Sequence, residues 1–462
     1  MTVTHAFDLQ GELATLLAPD RVSTSPSERN LHARDQSAYP AAMPDIVVWP
    51  ESTEEVSRVA RFANEHRIPL TPWGAGTSIE GNPIPVRGGI VMDMRRMNRI
   101  LAIHEKDFQV TVQPGVLYKD MNKVLGRLGL FFPPDPGANA SIGGMLANNA
   151  AGTRTVRYGA TRDNVLALEV VLADGQIIRT GSRSVKQSAG YDLTHLFVGS
   201  EGTLGIITEA TLKLYPLPSH FSAATAAFPT VEAAADAVFE IIASGLEPTA
   251  LELLDGTAIA IIQEETDLSL EPVPNLFMEF SGVSEAALAE TLPLVEEICR
   301  DHGCLAYRAG VGRNERARLW EARHSTFEAH LRHFPGQSYV VTDASVPISH
   351  YPRLVAAAHR LMEELDLVGS IVSHAGDGNM HVVVFYPPDD EAARARVLDF
   401  NDRLVQEALS LQGTVTGEHG VGLGKQKFME REHGAAALDL MRRLKHLLDP
   451  NHILNPGKVL GA

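Results

Sequence analysis

Three glycine-rich segments, Pro72–Asn82, Pro133–Gly152 and Val198–Ile207, constrain the fold of this chain more than any other feature. The first, Pro72-Trp-Gly-Ala-Gly-Thr-Ser-Ile-Glu-Gly-Asn82, follows the strand pattern Ile68-Pro-Leu-Thr71. Without Cβ atoms in the way, successive backbone N–H groups of such a loop can converge on an anion. Pro83 and Pro85 come next, so no helix begins where a dinucleotide fingerprint needs a helix N-terminus, and a nicotinamide Rossmann site is not expected. In the second segment Ser141 is placed to cap a short helix starting near Gly143, and the small residues around it let backbone pack against a flat ligand. One such segment is as readily a structural turn as a binding loop. Three together point to a large ligand lying along backbone.

The chain has 462 residues, too many for one core, and suggests two or three domains. Around the glycine segments the pattern is that of an α+β protein. Asp45–Pro50 reads as a strand, Ser52 caps a helix to about His66, and Ile68–Thr71 returns as a second strand, which predicts a small parallel sheet. Strand patterns dominate 89–220, with one amphipathic helix near 117–128 and a hairpin turn at Asp174-Gly175. Pro216-Leu-Pro218 marks a boundary. From 221 to about 412, helices near 230–244, 284–301, 313–333, 348–366 and 389–411 alternate with short strands, and a last helix spans about 425–448. The expected division is 1–220, 221–424 and 425–462, with the last segment returning to the first domain.

Forty Lys and Arg against fifty-seven Asp and Glu leave a net charge of −17, and there is no basic run, so a nucleic-acid partner is not expected. The two cysteines, Cys299 and Cys304, form no CxxC, which excludes an iron–sulfur cluster or Cys-zinc site within the chain and fits a reducing compartment. No secretory leader is expected at the N-terminus, because Asp8 and Glu12 interrupt its apolar residues. The expected location is cytoplasmic, with peripheral association at the inner membrane as the alternative.

A second constellation lies far along the chain. In Ser373-His-Ala-Gly-Asp-Gly-Asn-Met-His381, the pair Asp377-Gly378 signals a two-residue hairpin turn, which would place His374 directly opposite His381 with Cβ atoms about 5 Å apart. In Gly413–Gly424, glycines on both sides of Glu418-His419 let the backbone present both side chains to one site. His374, His381 and Glu418 make a plausible three-ligand set with an open position for a zinc-like ion, leaving His419 as a base. The plainer reading is polar turn residues. A P-loop reading of Gly420–Lys425 fails, since His419 stands where the motif needs glycine and Gln426 where it needs Ser or Thr.

Residues 45–218 resemble the flavin domain of the vanillyl-alcohol oxidase fold family, through PWGAGTSIEGN, PPDPGANASIGGMLANNAAG and VGSEGTLGIITEATLKL. With HAGDGNMH, TGEHGVGLGK and DPNHILNPGKVL, the chain is similar over about 30–460 to FAD-dependent D-2-hydroxyacid dehydrogenases, a group that includes cytochrome-reducing D-lactate dehydrogenases, D-2-hydroxyglutarate dehydrogenases and the flavin subunit of glycolate oxidase. The resemblance implies a two-subdomain FAD domain plus an α+β cap with an antiparallel sheet. It implies FAD contacts from Pro72, Trp73, Gly74, Ala75, Gly76, Thr77, Ser78, Gly81 and Asn82, from Pro134, Asp135, Gly143, Gly144, Asn148 and Gly152, from Glu201, Gly202, Gly205 and Ile207, and from Asn455. The flavin is expected to be non-covalent, because the first loop offers no histidine.

By the same resemblance His374, His381 and Glu418 bind a divalent metal, zinc or alternatively manganese, His419 is the base, and Arg323 holds the substrate carboxylate. A helix-surface salt bridge is the alternative for Arg323. Val341 stands where the hydroxyglutarate enzymes carry a lysine, which argues for a monocarboxylate such as D-lactate. The expected partners are a small 2-hydroxy acid and an external electron acceptor, whether cytochrome, quinone or an iron–sulfur subunit, with a homodimer left open. Rival readings are a subunit of a glycolate oxidase complex, a metallohydrolase whose glycine loops are merely structural, and a flavin-binding scaffold.

Overall fold

The computed structural model describes residues 8–266 and 268–461. Strands Ile46–Val48, Ile90–Asp93 and Leu70–Trp73 form the expected small parallel sheet, with Val22–Ser23 added antiparallel at one edge. Helix Thr53–His66 covers it. Ser52 caps that helix by accepting the Glu55 N–H, and Val56, Val59, Ala60 and Ala63 are buried beneath it. A five-stranded antiparallel sheet follows, in the order Ile100–His104, Gln109–Val112, Ile206–Lys213, Val165–Val171, Ile177–Gly181. The glycine segments emerge from these two sheets.

The second half builds one larger antiparallel sheet, ordered Ala306–Val311, His220–Ala227, Asn275–Gly282, Ala250–Leu254, Gly369–His374, Asn379–Tyr386 and Ser338–Val341. Strand alternation divides its two faces. Leu251, Leu253, Ile371, Met380, Val382 and Val384 point into a core built with helices Val231–Ala243, Glu285–Asp301, Tyr351–Glu364 and Glu391–Ser410. Glu252, Val372, His374, His381 and Val383 belong to the opposite face, which helix Arg313–His333 crosses. Between helices Val231–Ala243 and Glu285–Asp301 the chain also forms strand Ala250–Leu254 and helix Gly256–Gln263, and the apolar run 258–262 of that helix carries no period that would mark it.

The last helix, Met429–Leu448, is broken at Gly434, where φ is 77°. The chain then runs back to the parallel sheet. Leu454 bridges Leu70, and Ile453 and Leu454 are buried in that sheet's core. Among the described residues no helix is long and apolar enough to cross a membrane.

Gly152 ends the second segment at φ 142°, and a Cβ there would lie 1.7 Å from the Asp135 carbonyl oxygen. Neither backbone can retreat, because Asp135 is buried. Gly152→Ala is expected to cost at least ~2 kcal/mol, within the range for backbone strain combined with a core clash. A drop in thermal midpoint or in soluble yield measures it, and an unchanged midpoint would contradict this packing.

Candidate active site

The three glycine segments meet one another before they meet anything else. Gly199 and Glu201 donate their N–H groups to the Leu146 and Ala147 carbonyls at 2.9 and 2.8 Å, and Asn82 donates through Nδ2 to Glu201 Oε2 at 2.6 Å. Helix Ile142–Asn148 starts where expected, with Ser141 Oγ accepting the Gly144 N–H. Together the segments line a cavity of about 850 Å³, at the upper end for a cofactor site. Of the residues assigned to the flavin, Pro72 to Ser78, Asn82, Asp135, Gly143, Gly144, Asn148, Glu201, Gly202, Gly205, Ile207 and Asn455 line it. Gly81, Pro134 and Gly152 do not. Gly81 instead donates its N–H to buried Asp35, and Gly152 serves the loop crossing described above.

The same cavity is lined by Arg323, His374, His381, Glu418 and His419, so the two remote constellations share one space. His374 Nε2 and His381 Nε2 lie 3.2 and 3.1 Å from Glu418 Oε1, and one ligand atom from each of the three residues falls within 4.8 Å of the others. The hairpin register differs from expectation. Ala375–Asp377 form a 3₁₀ turn closed by Gly378 at φ 75°, so the turn has four residues and His374 pairs with Asn379. Val372 is therefore the partner of His381, and the two histidines are diagonal neighbours on one face, with ring centroids 5.2 Å apart.

Further groups, unmarked by any sequence motif, hold each of these side chains. His374 Nδ1 lies 2.9 Å from both oxygens of Glu252, and His381 Nδ1 lies 3.1 Å from the Thr342 carbonyl oxygen. Each contact commits Nδ1 and turns Nε2 toward Glu418, where a cation would sit. Burial alone would lower His374, but Glu252 and Glu418 outweigh it and hold the imidazole well above its usual value. Burial likewise works to raise Glu418, and His374 and His381 hold it far below the carboxylate range. Glu418 Oε2 is buried without a hydrogen-bond partner. A fixed pair of Nε2 atoms beside an unsatisfied carboxylate oxygen is a donor set that a divalent cation fits.

Asp343, wholly buried, is the hub of the loop. Its Oδ2 accepts the N–H groups of Glu418 and His419, both at 2.9 Å, and the Thr416 hydroxyl at 2.6 Å, while Oδ1 accepts Asn379 Nδ2 at 2.7 Å. With its oxygens so occupied, Asp343 is a poorer cation ligand than Glu418, although it also neighbours His381 and His419. Lys425, 1% exposed, donates Nζ to the Asp343 and Val415 carbonyls at 2.9 Å each and ties the two ends of this region together. Burial pushes His419 down to about 4 despite the neighbouring Asp343, so its imidazole is neutral at pH 7.

Arg323 is not on a helix surface. It is buried, and its Nε and Nη2 donate to Glu252 Oε2 at 2.9 and 2.5 Å. Nη1 has no partner among the described residues. Glu252 thus joins the arginine to His374. Its burial deep in a strand, with no motif around it, left no signal in the sequence. Among the described residues that line the cavity, Arg323 is the only Arg or Lys.

Residues 44–181 match the FAD binding domain family, and residues 217–459 match the family "FAD linked oxidases, C-terminal domain". The chain is 43% identical to the probable mitochondrial D-lactate dehydrogenase of Danio rerio, over 95% of this chain and 89% of that one. It is 41% identical to the mitochondrial D-lactate dehydrogenase [cytochrome] of Arabidopsis thaliana, over 98% and 80%. It is 38% identical to the glycolate oxidase subunit GlcD of Bacillus subtilis, over 98% and 96%. Among solved structures, 4-ethylphenol oxidase from Gulosibacter chungangensis superposes with a TM-score of 0.79 at 21% identity, covering 97% of this chain and 96% of that one. p-Cresol methylhydroxylase gives 0.78 at 19%, covering 98% and 96%, and both likenesses speak to fold alone. The chain belongs to the FAD-linked oxidases, as a two-domain α+β flavoprotein oxidoreductase of the vanillyl-alcohol oxidase fold.

Proposed function

We propose that this chain oxidises D-lactate to pyruvate with non-covalent FAD and a divalent cation held by His374, His381 and Glu418, and that the electrons leave to an external acceptor of the cytochrome type. The observation that carries the reading is the single cavity shared by the glycine segments, the His/His/Glu trio, His419 and one arginine. FAD, bound along the three segments, supplies the two-electron acceptor for the C2 hydride. The cation, zinc in preference to manganese for two nitrogens and one carboxylate, supplies a Lewis acid that lowers the pKa of the substrate hydroxyl.

The chain's own residues do the rest. Arg323 offers Nη1 to the substrate carboxylate, while Glu252 fixes the plane of its guanidinium. His419 takes the hydroxyl proton at Nε2. Asp343 Oδ2, 3.9 Å from Nδ1, stabilises the imidazolium that results. Val341, Val372, Val383 and Phe327 contribute apolar surface to the same cavity. With no second Arg or Lys among the described residues that line it, a methyl group fits better than a second carboxylate. The domain division follows as 1–220 for flavin, 221–424 for substrate and cation, and 425–462 returning to the flavin domain. Two unpaired thiols fit a cytoplasmic, reducing location.

A glycolate oxidase subunit is the second reading, favoured by the match to GlcD over nearly the full length of both chains. Dye reduction by the isolated chain separates the two. D-Lactate is expected to be the best substrate among D- and L-lactate, glycolate, D-2-hydroxybutyrate and D-2-hydroxyglutarate. A preference for glycolate, or no activity without a partner, would favour the second reading, and a preference for D-2-hydroxyglutarate would overturn the monocarboxylate assignment.

A further inference from the structure

Each glycine segment carries one polar side chain that reaches toward residues 419–422. Asn148, from the second segment, donates through Nδ2 to the His419 carbonyl at 3.1 Å. Glu201, from the third, is buried and accepts the N–H groups of Val421 at 2.6 Å and Gly422 at 3.0 Å. Asn82, from the first, holds Glu201 through Nδ2 and lies 3.4 Å from the same His419 carbonyl. Asn455 closes the arrangement from the C-terminal tail, donating to the Asn82 and Glu201 carbonyls at 3.0 and 2.7 Å. The approach is tight. Gly420 has φ 82°, and a Cβ there would lie 2.8 Å from both Asn82 Nδ2 and Glu201 Oε1.

The Glu418–His419 loop is thus clamped from two sides. Asp343 grips it by the N–H groups, from the half of the chain that carries His374 and His381. Asn148 and Glu201 grip it from the flavin side, and they, like Asn82, line the cavity. That second grip is only as well defined as the glycine segments themselves. A ligand filling the cavity would pack against these segments and so restrict them.

We propose that Asn82, Asn148 and Glu201 are positioning residues that place Glu418 and His419 by their main chain, and that through them flavin binding tightens divalent-cation binding at His374, His381 and Glu418. This rests on the reading of that trio as a cation site. Cation binding needs Glu418 held still. A flavin that has already ordered the segments lowers the ordering cost of the second event, and by linkage the cation tightens flavin binding by the same factor. A merely structural tether would change the affinity of both forms alike and leave their ratio untouched.

The test is the affinity of the full-length chain, freed of flavin and metal, for Mn²⁺, read from the EPR signal of the free ion with and without saturating FAD. Wild type is expected to bind Mn²⁺ about 5–150-fold more tightly with FAD present, the usual span of site-to-site coupling. Asn148→Ala and Glu201→Gln, each checked by far-UV circular dichroism, are expected to bring that ratio toward one. Equal Mn²⁺ affinity in wild type with and without FAD overturns the coupling and leaves the cation site standing. A full ratio retained in both folded variants overturns the assignment of these side chains. No saturable Mn²⁺ binding in either form overturns the cation site, and the coupling with it.

Discussion

His419→Ala gives a folded, yellow protein whose turnover with D-lactate is at least ~10²-fold below wild type, the scale of losing a general base. The structure makes this a clean deletion. Position 419 is held by its N–H to Asp343 and by its carbonyl to Asn148, and neither bond involves the imidazole. The loop therefore keeps its course when the ring is removed, and Glu418 stays beside His374 and His381. What disappears is a buried imidazole kept neutral by its surroundings, next to a carboxylate that stabilises its protonated form. Steady-state dye reduction, with flavin content read from the visible spectrum, checks the result. Turnover within a few-fold of wild type would remove His419 from the proton transfer.

Asp343→Ala has the opposite character. It takes the acceptor away from four donors at once: two N–H groups, one hydroxyl and one amide. Buried donors left unpaired cost about 1–3 kcal/mol each, although relaxation of the loop keeps the sum below simple addition. The loop carrying Glu418 and His419 then loses its grip on the larger sheet. The expected outcome is loss of stoichiometric cation and of turnover, with FAD still bound by the other domain. Asp343→Asn keeps one acceptor oxygen and falls between the two. Metal analysis of the purified variants checks this, and an Asp343→Ala protein with full cation content and turnover within ~10-fold of wild type would show that the hub is dispensable.

Much of this site was legible in the sequence because its chemistry sits in glycine-flanked segments. The blocks at 72–82, 133–152 and 198–207 and the pair Glu418-His419 all lie where backbone must do something unusual, and such places stand out in a linear string. Even there, register was beyond reach. The Asp377-Gly378 signal suggests a two-residue turn, whereas the 3₁₀ turn at Ala375–Asp377 lengthens it and moves His381 from opposite His374 to the diagonal. The alternation of strand faces keeps both rings on one face despite the slip. The supporting residues were invisible for a different reason. Glu252 is a charged residue inside an apolar strand, Asp343 sits in the short gap between strands Ser338–Val341 and Ala344–Ser345, and their partners, Arg323 with His374 and the 416–419 loop, lie about 71 or more positions away in sequence. Lys425 was legible only as part of a motif it does not complete. Its work, bridging two carbonyls in the interior, depends wholly on tertiary structure.

In the proposed reaction a chelated cation and a flavin act on one substrate in one cavity. Anaerobic mixing of the yellow protein with D-lactate, before and after dialysis against a chelator, tests it most directly. The flavin's visible band should bleach within a single turnover in the untreated protein. After chelation it should stay yellow, with FAD still bound, and bleach again once Zn²⁺ or Mn²⁺ is restored. Equal bleaching by the metal-stripped protein would contradict the account.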